Sequence, residues 1–156
     1  MLIVAERLNC TRKRIKEAVS NKNADFIQDE ARKQAEAGAD YIDVNSATGV
    51  DTEVGDMKWM IEQVRTVTDT PLSINTANGE AMRAGLELHG EGQPMVNSVT
   101  GEQARIEAVM PLAAEFKTKL VALAMDDSGM PETVDDRIRA IEGLMKAAES
   151  RGIEGK

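Results

Sequence analysis

The sequence predicts an α/β fold made of repeated strand-and-helix units, and three observations support this prediction. Five short apolar runs each end at a group of small polar residues, and a helical pattern follows each one. The polar positions Asn45, Asn75, Asn97 and Asp126 are spaced by 30, 22 and 29 residues, close to the roughly 30 residues that one strand-plus-helix unit takes. The composition is that of a globular domain, with 42% hydrophobic and 29% charged residues.

The order of apolar and polar residues predicts each element in turn. Strands are predicted at 2–5, 41–44, 72–74, 95–97 and 119–125. Helices are predicted at 11–20, 25–37, 53–67 and 78–88, then after Thr100 and after Thr133. Gly38 is expected to end the second helix, because glycine adopts the left-handed conformation common at that position. Asn78 is expected to cap the fourth helix, and Thr100 with Gln103 has the capping-box pattern.

Five such units predict a fold of the (β/α)8 TIM-barrel type that is only partly present. A closed barrel needs eight strands and about 250 residues, whereas this chain has 156 and ends at 152–156, where a sixth strand would begin. We therefore expect residues 1–156 to form one domain that is the N-terminal portion of a longer barrel. The unpaired edges of the first and fifth strands favour self-association, and we expect a homodimer.

Charge and composition exclude several classes of partner. The net charge is -8, with no basic stretch to offset it, which argues against nucleic acid and anionic membranes. Only 3% of residues are aromatic, so little surface is available for stacking on single strands. Cys10 is the single cysteine and cannot form an internal disulfide, which favours a reducing compartment. The apolar start at 1–5 is too short for a signal peptide or a membrane span, and we expect a cytoplasmic protein.

Asn and Asp side chains follow the predicted strands at comparable places. The carboxyl ends of the strands of a (β/α) barrel lie on one side, where sites are built. Asp43 and Asn45 are two residues apart and so share one face of their strand. A single Asn after a strand is more often a turn residue, but four strand ends of this kind favour a shared site. Carboxamides both donate and accept hydrogen bonds, which suits the edge of a flat polar heterocycle such as a pterin or a pyrimidine.

No metal site is predicted. The pair Asp126 and Asp127 could bind Mg²⁺, but no histidine or third carboxylate lies near it in the sequence. Such a pair in a loop is more often a solvated helix cap.

The chain resembles the pterin-binding methyltransferases, and specifically the methyltetrahydrofolate:corrinoid protein methyltransferases. The resemblance covers the whole chain in order. Its motifs are Glu-Arg-Leu-Asn at 6–9, Asp-Val-Asn at 43–45, Ser-Ile-Asn-Thr at 73–76, Met-Val-Asn-Ser at 95–98 and Ala-Met-Asp-Asp-Ser-Gly-Met-Pro at 124–131. The last of these favours the corrinoid enzymes over dihydropteroate synthase, which has the same fold.

The resemblance implies a methyl transfer from N5 of methyltetrahydrofolate, the substrate, to a Co(I) cobalamin carried by a separate corrinoid protein. No metal is then needed on this chain. N5 must gain a proton or a strong hydrogen bond to leave as an amine. The residues that the resemblance assigns to the pterin are Asn75, Asn97, Asp43, Asn45, Asn9, Glu6 and Asp126. The residue that assists N5 is expected beyond residue 156.

Two departures from the family pattern are found, and alternative functions remain open. The family's strand 6 aspartate and its later asparagine near N5 are expected beyond residue 156, and the other departure is at residue 75. The family usually has an aspartate where this chain has Asn75, and the loss of a charge-assisted hydrogen bond there costs roughly 1.5–3 kcal/mol. One alternative is a non-catalytic pterin-binding module, or a half-barrel that needs a partner chain. Another is an enzyme like dihydropteroate synthase.

Overall fold

The computed structural model describes residues 1–153, which contain five parallel β-strands alternating with six α-helices. The chain divides into two compact units, Met1–Met95 and Val96–Lys156. The elements of the first unit are β1 (Val4–Asn9), α1 (Lys13–Ser20), α2 (Ala24–Glu36), β2 (Tyr41–Asn45), α3 (Glu53–Arg65), β3 (Leu72–Asn75) and α4 (Gly79–Leu88). Those that follow are β4 (Met95–Gly101), α5 (Gln103–Glu115), β5 (Lys119–Asp126) and α6 (Val134–Glu149).

The sheet of the first unit has the strand order β1-β2-β3, and both pairs are parallel. Val4 pairs with Tyr41 and Asn9 pairs with Asn45, with a register irregularity between Ala5 and Leu8. The prediction of a strand at 2–5 is therefore wrong in its bounds, since β1 begins at Val4 and continues to Asn9. The irregularity lets the strand carry an exposed polar pair in its middle and still return the buried Leu8 to the core.

The core of the first unit lies between this sheet and its helices. The strands contribute fully buried apolar side chains, Leu8, Ile42, Val44, Leu72 and Ile74. Helix α3 packs against β2, α2 and α4, and its buried apolar residues are Met57, Met60, Ile61 and Val64. Complete burial of a side chain of this size contributes about 1.5–3 kcal/mol. The three- and four-residue spacing that predicted this helix therefore follows from its buried face.

Two predicted helix boundaries of the first unit are confirmed by their capping contacts. The side chain of Asn78 accepts hydrogen bonds from Glu80 N and Ala81 N at the start of α4. Gly38 has a φ of +83° just after α2, a backbone conformation that glycine adopts without steric cost.

The second unit contains strands β4 and β5, which are hydrogen-bonded neighbours. Strand β4 continues to Gly101, so the predicted strand at 95–97 is too short; Val99 and Thr100 are buried and extend the strand. The predicted capping box at Thr100 is also wrong. Glu102 is the N-cap of α5, and Thr100 Oγ1 donates to its carboxylate at 2.6 Å.

The last helix has a true capping box. Thr133 Oγ1 accepts from Asp136 N at 3.1 Å, and the Asp136 carboxylate accepts from Thr133 N at 3.1 Å. The start predicted for this helix is therefore confirmed. The sixth strand expected from 152–156 falls largely on residues 154–156, which lie outside the described residues. None of the helices in residues 1–153 is both long and apolar enough to cross a membrane.

Candidate functional site

A buried polar cluster lies at the carboxyl ends of β2 and β3. Its centre is Asp43, which is 0% exposed. Ser73 Oγ donates to Asp43 Oδ1 at 2.7 Å, and Asn75 Nδ2 donates to Asp43 Oδ2 at 2.8 Å. Asp43 and Ser73 are also direct partners in the β2–β3 register. The alternation of side chains along each strand brings Asp43, Ser73 and Asn75 onto one face of the sheet.

The polar cluster extends to Asn45, the last residue of β2. Asn45 Nδ2 donates to Asn75 Oδ1 at 3.3 Å, and Asn45 Oδ1 accepts from Ala47 N at 3.2 Å. Three predicted site residues, Asp43, Asn45 and Asn75, are thus brought together. Asn45 and Asn75 are each the last residue of a strand and are partly buried, so their polar groups stand at the rim.

Two further predicted residues lie on β1. Asn9 is the register partner of Asn45, and its Oδ1 accepts from Thr11 N at 2.9 Å. This turn contact holds Asn9 beside the end of β2. Glu6 lies in the middle of the same strand with an exposed side chain, three residues before Asn9.

A second polar network joins α3 to the loops around it. The Asp56 carboxylate accepts from Lys22 Nζ at 2.5 Å and also from Thr48 Oγ1, while Thr76 Oγ1 donates to Glu53. Burial opposes ionisation of Asp56, but the hydrogen bonds from Lys22 and Thr48 outweigh it and lower its pKa. Sequence reasoning missed this network.

The missed residues differ in the signal that they carry. Ser73 could have been found, because it lies two residues before Asn75 on the same strand and therefore shares its face. Lys22 and Asp56 are 34 residues apart, and nothing local in the sequence links a lysine after one helix to an aspartate within another.

Cys10 lies directly after β1 and is 3% exposed. Burial, together with the negative charge of Asp56, raises the pKa of its thiol to about 11. The thiol is therefore protonated at neutral pH and is a weak nucleophile there.

The second unit holds the two remaining predicted residues. Asn97 is the third residue of β4 and is partly buried, so it lies within the strand rather than after it. Asp126 is the last residue of β5, and its carboxylate accepts from Ser128 N at 2.9 Å and from Ser128 Oγ at 2.5 Å. These hydrogen bonds hold the pKa of Asp126 below its ordinary value.

The neighbouring Asp127 has a different contact. Its Oδ2 accepts from Gln103 N, at the first residue of α5, at 3.2 Å, which is the helix-capping role expected for one residue of this pair. Across residues 1–153 there is no group of three or more His, Cys, Asp or Glu side chains placed to hold a metal ion.

Comparisons with known proteins agree on one family. A family model described as "Pterin binding enzyme" matches residues 5–154. The chain is 34% identical to methylcorrinoid:tetrahydrofolate methyltransferase of Eubacterium limosum over 155 residues, which covers 98% of this chain and 57% of that protein. It is 28% identical to methionine synthase of Mycobacterium leprae over 151 residues, 93% of this chain and 12% of that much longer protein.

A solved structure gives the fold. The 7,8-dihydropteroate synthase of Vibrio fischeri ES114 superimposes with a TM-score of 0.74 at 20% identity, covering 97% of this chain and 57% of that one. The prediction of a partial barrel with five strand-and-helix units is confirmed. The chain spans 57% of the length of both the Eubacterium relative and the synthase.

Proposed function

The chain belongs to the family of pterin-binding enzymes, and we propose that it is a methyltransferase acting between methyltetrahydrofolate and a corrinoid protein. The observation that carries this proposal is the polar cluster of Asp43, Ser73, Asn75 and Asn45 at the ends of β2 and β3. The 34% identity to a protein named for this transfer supports it.

The polar cluster has the chemistry that a pterin requires. One edge of a pterin carries an amino group and ring nitrogen and oxygen atoms, so a matching site must both donate and accept hydrogen bonds. Carboxamides do both, and a carboxylate accepts only. Because Asp43 is completely buried, its hydrogen bonds hold the surrounding side chains in place before any ligand arrives.

We propose that Asn75, Asp43, Asn45 and Asn9 hold the pterin from the first unit. The family resemblance adds Glu6 on β1, and Asn97 and Asp126 from the second unit. Residues 1–156 then form the N-terminal portion of a pterin-binding barrel, with a corrinoid protein as partner and a second copy as the proposed dimer mate.

The proposed reaction is a direct displacement at the methyl carbon. The bond from N5 to the methyl carbon breaks as the bond from cobalt to that carbon forms, and N5 keeps the electron pair. A proton or hydrogen bond at N5 makes it a better leaving group. This chain contributes by orienting the pterin, while the partner protein's Co(I) corrinoid supplies the nucleophile.

The proposed site does not depend on the direction of methyl transfer. The Eubacterium relative is named for transfer from a methylcorrinoid to tetrahydrofolate, the reverse of the direction written above. Forward and reverse transfers pass through one transition state, so the same pterin contacts serve both.

A second candidate is a module that binds a pterin without turnover. Such a module needs only the pterin contacts, whereas methyl transfer also needs a group that assists N5. Both candidates require the same pterin contacts, and they differ only in transfer.

Titration calorimetry with methyltetrahydrofolate, followed by a transfer assay with reduced cobalamin, tests both candidates. Binding with methylation of cobalamin supports the methyltransferase, and binding without methylation supports the module.

A pair of variants tests the site itself. Asn75→Ala should weaken binding, whereas Asn21→Ala, an exposed change at the end of α1, should not. Absence of binding by the unaltered chain would reject both candidates, and consumption of p-aminobenzoate would indicate a synthase.

A further inference from the structure

We propose that Asp43 is a positioning residue that locks the carboxamide of Asn75 in one orientation, with its oxygen as the atom offered to a ligand. The ligand group that meets Asn75 must then be a hydrogen-bond donor, such as an amino group on a heterocycle. The identity of the ligand rests on the proposed function. The fixed orientation of the Asn75 carboxamide, called the lock below, does not.

The first constraint on Asn75 comes from Asp43. The two carboxylate oxygens of Asp43 accept from Ser73 Oγ at 2.7 Å and from Asn75 Nδ2 at 2.8 Å. An ionised carboxylate has no hydrogen to donate. If the Asn75 amide were turned over, its oxygen would face a buried carboxylate oxygen with no hydrogen between them, a contact that is strongly unfavourable at complete burial.

The second constraint comes from the opposite end of the polar cluster. Ala47 N is a backbone donor and lies 3.2 Å from Asn45 Oδ1, so the oxygen of Asn45 must face it. Asn45 Nδ2 is then left to donate to Asn75 Oδ1 at 3.3 Å. A fixed donor at one end and a fixed acceptor at the other impose the same orientation on Asn75.

The lock explains how a neutral residue can serve where the family has an aspartate. Asn75 Oδ1 has two lone pairs, and the 3.3 Å bond from Asn45 uses one of them. The carboxylate is instead that of Asp43, the hydrogen-bond partner of Asn75, and it polarises the Asn75 amide through the hydrogen bond that joins them. Asp43 and Asn75 together thus present the acceptor that a single carboxylate presents in the family.

The lock can be measured without any ligand. In the full chain labelled with ¹⁵N, nuclear magnetic resonance reports the exchange of the Asn75 side-chain hydrogens with solvent. Asp43→Asn should raise that exchange rate by about tenfold or more, since the acceptor loses its charge and the hydrogen bond becomes at best a weaker, neutral one. The matched control is Ser73→Ala, which removes another donor to the same carboxylate and should leave Asn75 protected.

A charge swap keeps the test decisive if Asp43→Asn does not fold. In the double variant Asp43→Asn with Asn75→Asp, the new amide at 43 can donate to the new carboxylate at 75, so the protected amide should move to position 43. An unprotected amide there, or an unfolded double variant, would overturn the lock. So would Asn75 exchange that is unaffected by Asp43→Asn, or equally affected by Ser73→Ala.

A pair of ligands tests the orientation. Lumazine carries a carbonyl oxygen where pterin carries its amino group, so the chain should bind pterin at least about tenfold more tightly. Asp43→Asn should reduce that ratio, because an amide at 43 can either accept from Asn75 or donate to it, so Asn75 can also turn its nitrogen to the ligand. Ser73→Ala should preserve the ratio. A ratio unchanged by Asp43→Asn would overturn the assigned orientation. Failure of the unaltered chain to bind either compound would reject the proposed function. The exchange measurement would still show whether Asp43 fixes the orientation of Asn75.

Discussion

Lys22 Nζ lies 2.5 Å from Asp56 Oδ1, and this ion pair joins the residues that follow α1 to helix α3. The Asp56 side chain is 10% exposed, and Thr48 donates to the same carboxylate. Lys22 Nζ also lies 4.8 Å from the centre of the Trp59 ring, within the range of a cation–π contact. The partners of Asp56 are therefore supplied by tertiary structure, one from the residues after α1 and one from the loop after β2.

We predict that Asp56→Ala lowers the free energy of unfolding by about 1–3 kcal/mol, because it leaves partly buried donors without their acceptor. Asp29→Ala is the matched control. Asp29 also receives a lysine nitrogen at 2.5 Å, from Lys33, but its side chain is 50% exposed, and exposed pairs contribute about 0–1 kcal/mol. Urea unfolding measures both. Equal losses would mean that burial does not set the strength of the Asp56 pair.

The same carboxylate predicts an acid dependence of stability. The pKa of Asp56 is lowered in the folded chain, so its contribution is present above the ordinary carboxyl pKa of about 3.9 and is lost as the pH falls through the lower, folded value. Asp56→Asn should therefore lose less stability between pH 6 and pH 3 than the unaltered chain. Urea unfolding at those two pH values measures this loss in both chains. An equal loss of unfolding free energy in the two chains would contradict the assignment.

Cys10 is predicted to react slowly with alkylating reagents. Its thiol pKa is about 11 in the folded chain, so at pH 8 the thiolate fraction is roughly two orders of magnitude below that of a thiol with a pKa of about 8.5. Alkylation by iodoacetamide, followed by mass spectrometry, should accelerate up to about pH 11. The urea-unfolded chain is the control and should level off near pH 9. Asp56→Asn should speed the folded reaction, and levelling of the folded rate near pH 9 would refute the prediction.

The parts of the fold that the sequence predicts correctly depend on local chemistry. The sequence predicts Asn78 as a helix cap and a helix that begins after Thr133, and both side chains make N-terminal capping contacts. The errors occur where tertiary pairing extends a strand. Glu6 looks like the end of an apolar run, yet it lies within β1 because β2 continues to pair beyond it. Thr100 likewise has a cap-like pattern but belongs to β4.

In the candidate site, too, some features follow from the local sequence and others depend on tertiary structure. The alternation rule places Asp43 and Asn45 on one face, and the structure joins both to Asn75. The direction of each hydrogen bond could not be predicted, because it depends on which groups of Ser73 and Ala47 reach the same cluster. Those distances are set by strand register, which the sequence specifies only through the packing of the whole sheet.

Two helical glycines are predicted to respond to alanine with opposite signs. A Cβ at Gly85 in α4 would lie 2.7 Å from Ile74 Cγ2, whereas a Cβ at Gly143 in α6 would have nothing within 4 Å. Gly85→Ala should therefore destabilise by about 1–3 kcal/mol through overpacking. Gly143→Ala should stabilise by about 0.5–1 kcal/mol, because alanine favours the helix. Thermal unfolding measures both, and a stabilising Gly85→Ala would mean that α4 shifts away from β3 at no cost.

Asn97 provides the sharpest test of the pterin assignment in the second unit. We predict that Asn97→Ala abolishes measurable pterin binding in any form of the protein that binds it, because a polar group of the bound ring loses its partner. Gln103→Ala is the control in the same unit, since this exposed side chain donates to Glu107 at 2.6 Å on the surface of α5. Calorimetry with methyltetrahydrofolate gives the affinities, and circular dichroism shows whether each variant is folded. A folded Asn97→Ala chain with unchanged affinity would remove Asn97 from the site and leave the cluster around Asp43 as the pterin contact to pursue.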